Sequence, residues 1–173
     1  MPEPIEITKM KENYNNRDYV LKAVSEQGSL LDFADDSLKD DKEIVLTAIK
    51  NNPEALEFAS YRLKSDREVV YNSVSKVGWT YCYTGEELLN DKELLVSALK
   101  VTGQVLYYAS EELRDDKDVV LEAVKNKGII VKYASKRLRE DKEVGIEAIK
   151  QNKKCYEFLG ENLKQDEDIK AML

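Results

Sequence analysis

The sequence contains no histidine, and only two cysteines, three prolines and seven glycines among its 173 residues. The absence of histidine removes the commonest metal ligand and the commonest general base together. Cys82 and Cys155 form neither a disulfide framework nor a CxxC motif, so we interpret each as a small apolar residue. We therefore predict no bound metal, no cofactor and no catalytic residues.

Long apolar segments and a basic charge balance are also lacking. No apolar run approaches the length of a membrane span, and the first residues, MPEPIEITKMKEN, contain no apolar core of a signal peptide. The net charge of −7 disfavours general binding to nucleic acid or to anionic membranes. We predict a cytoplasmic protein without nucleic-acid or membrane partners, and a monomer rather than an oligomer. Export by a specialised secretion route would leave no readable signal and stays open.

What the chain does contain is a repeat of 25 residues, best seen in the stretch DKDVVLEAVKNKGIIVKYASKRLRE, residues 116–140. A fixed period of this size indicates a repeat architecture. The first positions of the successive copies are Asn16, Asp41, Asp66, Asp91, Asp116, Asp141 and Asp166. Repeats one to six and positions 1 to 25 are counted from these residues. We predict a single domain over residues 1–173, with a cap or frayed segment at 1–15, six repeats at 16–165 and a C-terminal capping helix at 166–173.

The first half of each repeat predicts an amphipathic helix of about ten residues, named helix A here. Asp or Asn at position 1 is a favourable N-cap, and the acid at position 3 complements the helix dipole. Positions 4, 5, 8 and 9 are apolar and form one stripe at helical spacing. Glycines at position 13 (Gly28, Gly78, Gly103 and Gly128) predict a helix end in a left-handed conformation. Pro53 replaces that glycine in repeat two and could open the next helix.

The second half predicts a shorter helix B, as in EALEFASYRL, whose core positions we expect to be 15, 16, 18, 19 and 23. Position 18 is always aromatic, which makes Tyr83 and Tyr108 core residues in this interpretation. The β-branched and aromatic versions GIIVKYA and GWTYCYT leave a strand as the alternative. The last turn, SEEL or SKRL, could be a separate 3₁₀ turn. The predicted fold is therefore all-α: an α-solenoid of six helix-turn-helix repeats and a truncated seventh, wound as a right-handed superhelix.

The pattern D-[KR]-E-[IV]-V-L-x-A-[IV]-K, then G, then L-x-[YF]-A-S-x-x-L-[KR], resembles the family of short tandem helical repeats catalogued as domain of unknown function 4116. The matching residues span nearly the whole chain. The resemblance implies a multi-repeat interaction scaffold, and it supplies no catalytic or binding residues to transfer.

No catalytic motif is recognisable, and the Asp-Lys-Glu triplets stand where helix capping requires them. The basic residues at position 2 should neutralise the acidic columns beside them. Two departures from the repeat remain as candidate protein-binding sites. Trp79 and Tyr107 occupy positions that are usually polar and should face solvent, with Tyr61 nearby. Repeat five has seven basic and four acidic residues, which makes Lys132, Lys136 and Arg137 candidates for an acidic or phosphorylated ligand.

The leading hypothesis is a non-enzymatic repeat scaffold that binds another protein or a peptide. One alternative is a structural or regulatory repeat segment of a larger multi-domain effector or enzyme. Another is a binder of acidic or phosphorylated ligands through repeat five.

Overall fold

The structure is a computed structural model that describes residues 5–173, and it divides into two compact units. One unit ends at Leu88, and the other runs from Leu89 to Leu173. The prediction of one single domain stays a prediction, and each unit is considered by itself below.

The unit that ends at Leu88 is built from α-helices and 3₁₀-helices in alternation. Its elements are α1 (Ile5–Glu12), α2 (Arg17–Glu26), a 3₁₀ segment (Gly28–Phe33), α3 (Asp36–Lys39), α4 (Lys42–Asn51), a 3₁₀ segment (Pro53–Phe58), α5 (Tyr61–Lys64), α6 (Arg67–Val74), and the 3₁₀ segments Gly78–Tyr83 and Glu86–Leu88. Within this unit, each long helix contacts the long helix of the next repeat, and each six-residue 3₁₀ segment contacts the next one.

The unit Leu89–Leu173 repeats the same order. Its elements are α7 (Lys92–Val101), a 3₁₀ segment (Gly103–Tyr108), α8 (Glu111–Arg114), α9 (Lys117–Asn126), a 3₁₀ segment (Gly128–Tyr133), α10 (Lys136–Arg139), α11 (Lys142–Gln151), a 3₁₀ segment (Lys153–Phe158), α12 (Glu161–Lys164) and α13 (Glu167–Ala171). The all-α repeat fold predicted from the sequence is confirmed, whereas the handedness of a superhelix stays a prediction.

Helix A forms where the sequence predicts it. The side chain at position 1 caps each long helix; for example, Asp116 accepts hydrogen bonds from the backbone N–H groups of Asp118 and Val119. These bonds satisfy donors that the first turn of a helix otherwise leaves unpaired. The predicted apolar stripe is confirmed in α4, where the side chains of Ile44, Val45, Ala48 and Ile49 are all fully buried.

Helix B, predicted as a single short helix, is divided into two helical segments in the structure. A six-residue 3₁₀ segment ends at position 18, position 19 is extended, and a four-residue helix follows in most repeats. The break occurs because the residue at position 20 caps this last helix: the hydroxyl of Ser135 accepts the N–H of Leu138 at 3.1 Å. The last turn is 3₁₀ at Glu86–Leu88. The strand alternative is wrong, since no strand occurs between residues 5 and 173.

The prediction of left-handed glycines at position 13 is wrong, because no glycine in the described residues has a positive φ. Gly28, Gly103 and Gly128 instead allow the next repeat of the same unit to come close. A Cβ atom on Gly128 would lie 2.6 Å from the carbonyl oxygen of Ala148, and one on Gly103 would lie 2.8 Å from that of Ala123. Pro53 opens its 3₁₀ segment, as predicted.

A chain of ion pairs connects consecutive repeats within each unit, and we call each link a charge clamp. The cation at position 2 contacts the carboxylates at positions 1 and 3 of the next repeat, which confirms the neutralisation expected from the sequence. The clamps join Arg17 to Asp41 and Glu43, Lys42 to Asp66 and Glu68, Lys92 to Asp116 and Asp118, Lys117 to Asp141 and Glu143, and Lys142 to Asp166 and Asp168. The distances to the capping aspartates run from 2.7 to 2.9 Å.

A second link joins position 25 of one repeat to positions 20 and 22 of the next, and we call it the polar pair. The backbone N–H at position 20 donates to the carbonyl at position 24 of the preceding repeat; for Ser135 and Arg114 the distance is 2.9 Å. In each of the following pairs, one of the side chains at positions 25 and 22 donates a hydrogen bond that the other accepts. The pairs are Asp40 with Arg62, Ser65 with Glu87, Asn90 with Glu112, and Asp115 with Arg137.

The N-terminal segment continues this scheme. The side chain of Met10 in α1 is fully buried, and the carbonyl of Tyr14 accepts the N–H of Asp35 at 2.9 Å, as a position-24 carbonyl does elsewhere. The predicted cap at residues 1–15 is therefore described only from Ile5 onward, because residues 1–4 lie outside the described part.

Candidate interaction surface

The candidate surface is formed by the ends of the 3₁₀ segments, where the side chain at position 17 meets the aromatic ring at position 18 of the next repeat. The contact is a hydrogen bond of 3.0 Å from the Tyr83 hydroxyl to Glu57. Between Tyr107 and Tyr133, the corresponding pair of the other unit, the contact is instead an edge-to-face ring contact with centroids 5.2 Å apart. The residues at position 18 are half-buried or exposed, so their assignment to the core is wrong: Tyr108 is 46% exposed.

In the unit that ends at Leu88, Trp79 is an exposed aromatic residue on the 3₁₀ segment Gly78–Tyr83. It is 40% exposed, which confirms the prediction that it faces solvent, and its ring lies edge-on to Tyr83 with centroids 5.4 Å apart. Burial and the hydrogen bond to Glu57 raise the pKa of Tyr83 to about 12. The protonated Tyr83 hydroxyl donates the hydrogen bond to Glu57, and this bond fixes the Tyr83 ring beside Trp79.

Tyr61 lies in the same unit and is 59% exposed. Its hydroxyl donates to the carboxylate of Glu87 at 3.0 Å, and the same carboxylate accepts the Ser65 hydroxyl at 2.6 Å. Tyr61 thus has a fixed orientation and presents its ring to solvent.

In the unit Leu89–Leu173, Tyr107 is 57% exposed, which again confirms the prediction. Its ring contacts both Tyr108 and Tyr133 in edge-to-face geometry, at 5.0 and 5.2 Å between centroids. Trp79 and Tyr107, which the sequence places in one aromatic cluster, belong to different units and are described separately.

The structure divides the three basic candidates of repeat five. Arg137 forms a polar pair with Asp115, with Nε 3.0 Å from the carboxylate and Nη2 2.6 Å from the backbone carbonyl, so it holds two repeats together. The Lys132 ammonium lies 4.7 Å from the Tyr133 ring centroid and 6.0 Å from that of Phe158. Lys136 is exposed and lines a cleft between repeats five and six.

Sequence analysis did not indicate Arg114, and it indicated Arg139 only as one of the seven basic residues of repeat five; both stand at position 24. Arg114 lines a cleft of about 340 Å³ with Tyr133 and Ser135, and Arg139 lines one of about 520 Å³ with Lys136 and Phe158. The available signal was a second basic column at position 24, interrupted only by a leucine. The column consists of Lys39, Lys64, Arg114, Arg139 and Lys164.

The acidic residues of the repeats do not assemble into a site for chemistry. The position-1 aspartates accept hydrogen bonds from backbone N–H groups and form ion pairs with the cations at position 2. No group of three or more Cys, Asp or Glu side chains among residues 5–173 is arranged to hold a metal ion.

Burial raises the pKa values of both the Cys82 and Cys155 thiols, so neither favours the thiolate form. From Ile5 to Leu173, none of the helices is both long enough and apolar enough to span a bilayer.

The fold and this surface define an all-α tandem-repeat protein. The sequence model of the family described as domain of unknown function (DUF4116) matches residues 16–64, 66–114 and 116–169. The chain belongs to this family, and each match covers two of the 25-residue repeats. Comparisons with curated proteins and with solved structures gave no match.

Proposed function

We propose that the chain is a non-enzymatic repeat scaffold that binds another protein or an extended peptide. The observation that carries the proposal is the half-exposed aromatic surface at the ends of the 3₁₀ segments. Trp79 with Tyr83 represents it in one unit, and Tyr107 with Tyr133 in the other. Exposed tryptophan and tyrosine side chains are enriched among the residues that dominate binding energy.

The fixed geometry of these rings supports the proposal. Tyr83 is held by Glu57, Tyr61 is held by Glu87, and Tyr107 is held between two neighbouring rings. Side chains that are already ordered lose less conformational entropy when a partner binds, so more of the contact energy contributes to affinity. The clamps and polar pairs likewise fix consecutive repeats within each unit.

The same proposal places the protein in the cytoplasm. Cys82 and Cys155 are both free, as expected for a protein that folds where thiols are kept reduced.

The test is selection of binding peptides from a displayed library with the full chain, followed by affinity measurements on the selected peptides. We expect Trp79→Ala or Tyr107→Ala to weaken binding about tenfold or more, the range of a binding hot spot. Tyr71→Ala is the matched control, because Tyr71 is 47% exposed but lies on the long helix α6.

Urea unfolding of each variant separates lost binding from lost folding. Selected peptides that bind all three variants equally would contradict the aromatic surface. A failure to select any binding peptide would contradict the proposal itself.

A further inference from the structure

We propose that the two clefts of the unit Leu89–Leu173 bind neighbouring carboxylate side chains of one extended acidic peptide. Arg114 lies in the first cleft and Arg139 in the second. This inference rests on the proposed peptide-binding function and specifies its ligand class in this unit.

The two arginines differ from the arginines of the clamps and polar pairs. Arg17, Arg62 and Arg137 each have a carboxylate oxygen 2.8 to 3.0 Å from Nε. By contrast, the Nε atoms of Arg114 and Arg139 are buried and have no hydrogen-bond partner in the part of the chain that the structure describes.

The charge on Arg114 is only weakly compensated by an ion pair. The Nη2 atom of Arg114 lies 3.9 Å from Oε1 of Glu111, whose own side chain is 96% exposed. Asp115 also lines this cleft, but its carboxylate is paired with Arg137. The Arg114 side chain is 33% exposed, so the guanidinium group is partly removed from water and still reaches the cleft. A guanidinium group in this setting binds carboxylates strongly, because its planar array of N–H donors matches the two carboxylate oxygens and little water competes.

Each cleft also has an aromatic wall from position 18 of the following repeat. Tyr133 lines the cleft of Arg114, and Phe158 lines the cleft of Arg139. The Lys132 ammonium lies 4.7 Å from the Tyr133 ring centroid and 6.0 Å from that of Phe158, so a further positive charge stands near both rings. An extended peptide that crosses the repeats would meet a cation and an aromatic ring, and then the same combination one repeat later.

The charges around the second cleft disfavour ligand groups that carry more than one negative charge. Lys136, Arg139 and Lys164 line the second cleft together with Glu140, Glu157 and Glu161. Glu161 is paired with Lys164 at 2.9 Å, and Glu140 accepts the N–H of Leu163 at 3.2 Å. These nearby carboxylates repel a phosphate group, which carries nearly two negative charges, more strongly than a singly charged carboxylate.

The probe is a fluorescein-labelled peptide of alternating glutamate and serine, compared with the same peptide carrying glutamine in place of glutamate. Binding to the full chain is measured by fluorescence polarisation at low salt. We expect the glutamate peptide to bind, the glutamine peptide to bind at least about tenfold more weakly, and added salt to weaken binding.

The variants are Arg114→Gln and Arg139→Gln, each expected to weaken binding about five- to tenfold, the range of one charge-assisted hydrogen bond at a partly exposed site. Lys125→Gln is the matched control, because it removes one positive charge from an exposed position on α9. We expect it to change the affinity less than about twofold. Arg139→Lys keeps the charge without the planar fork, so its affinity should fall between those of the parent and Arg139→Gln.

Equal binding of the glutamate and glutamine peptides would overturn the inference, as would an equal loss of affinity in Lys125→Gln and the arginine variants. A phosphoserine peptide that binds more tightly through the same arginines would assign the clefts to phosphate and also overturn it. Peptides selected for the aromatic surface are measured on the same preparations. If they still bind, only the acidic-ligand inference has failed, and the proposed function stands.

Discussion

The ammonium group of Lys117 lies 2.9 Å from a carboxylate oxygen of Asp141, the residue that caps the next long helix. One aspartate therefore serves two purposes: it accepts the N–H of Val144 within its own repeat, and it binds a cation from the preceding repeat. Helix formation and repeat stacking are coupled through this one side chain.

The first prediction separates the two roles of Asp141. Asp141→Ala removes the cap and the ion pair and should lower the free energy of unfolding by about 1–2 kcal/mol. Asp141→Asn keeps a cap acceptor, as Asn16 does naturally at the start of α2, and should lose less than half as much. Urea unfolding followed by circular dichroism measures both. Equal losses would show that the charge rather than the cap provides the stability.

The second prediction concerns acid. Burial raises the pKa of Asp141. The ion pair with Lys117 and the N–H donors of the helix lower this pKa by more than burial raises it, so the net pKa is below the usual value. The hydrogen bond from Ser135 and then the contact with Arg137 lower the pKa of Asp115. The same net direction holds at Asp40, Asp41, Asp66, Asp116 and Asp166.

A carboxyl group whose pKa is lower in the folded chain contributes stability above its unfolded pKa, and this contribution is lost as the pH falls through the folded pKa. The melting temperature should therefore change little between about pH 8 and about pH 5, and should fall steeply below about pH 4, the ordinary pKa of aspartate. Thermal melts across this range provide the measurement. A major loss between about pH 7 and about pH 5 would contradict the prediction, and no histidine is present to cause one.

The third prediction tests why glycine occupies position 13. Gly128→Ala should lower the free energy of unfolding by about 1–3 kcal/mol, because the new Cβ would overlap the carbonyl oxygen of Ala148. Lys153→Ala is the control, since Lys153 is the exposed residue at the same position of repeat six. An unchanged stability of Gly128→Ala would mean that the adjacent long helices can move apart freely.

The fourth prediction uses the polar pairs. Arg137→Glu places a carboxylate against Asp115 and should lower the melting temperature by repulsion. The double variant with Asp115→Asn recreates the natural arrangement of Asn90, Ser110 and Glu112, because Ser135 already matches Ser110. We therefore expect the double variant to be more stable than Arg137→Glu alone. The comparison includes Asp115→Asn alone, and purely additive changes in melting temperature would contradict the matching of these positions.

The sequence was sufficient to predict helix A because its signals are local. Capping aspartates, the acid at position 3 and the apolar stripe each act within one helix, and Asp116 and Ile44 are where they were expected. The prediction failed where a residue serves a neighbouring repeat. Gly128 is small because of Ala148, a contact across 20 residues that does not affect the local backbone conformation. The division of helix B was readable in principle, because Ser60, Ser110 and Ser135 are good N-caps.

The candidate surface was predictable only in part for the same reason. Trp79 and Tyr107 depart from the repeat pattern, so the sequence identified them as exposed. Arg137 was indicated by the basic excess of repeat five, but its partner Asp115 belongs to the preceding repeat and was not apparent. Arg114 conforms to a basic column and was not indicated by the sequence, and Arg139 was indicated only as part of the basic excess of repeat five. Their distinguishing feature is the absence of acceptors around Nε, which the sequence does not show.

The offset of every clamp gives each repeat two complementary sides: a cation on the side that meets the following copy, and carboxylates on the side that meets the preceding one. As far as the clamps are concerned, a gene of this kind can therefore lengthen or shorten by whole 25-codon units without leaving a clamp charge unmatched at the junction. The polar pairs restrict which copies can be joined. Repeats two and five each follow an aspartate, Asp40 or Asp115, and each pairs an arginine with it, Arg62 or Arg137. Repeats two and five are therefore interchangeable at this contact. A repeat that carries Glu87 or Glu112 at the same position could not replace them.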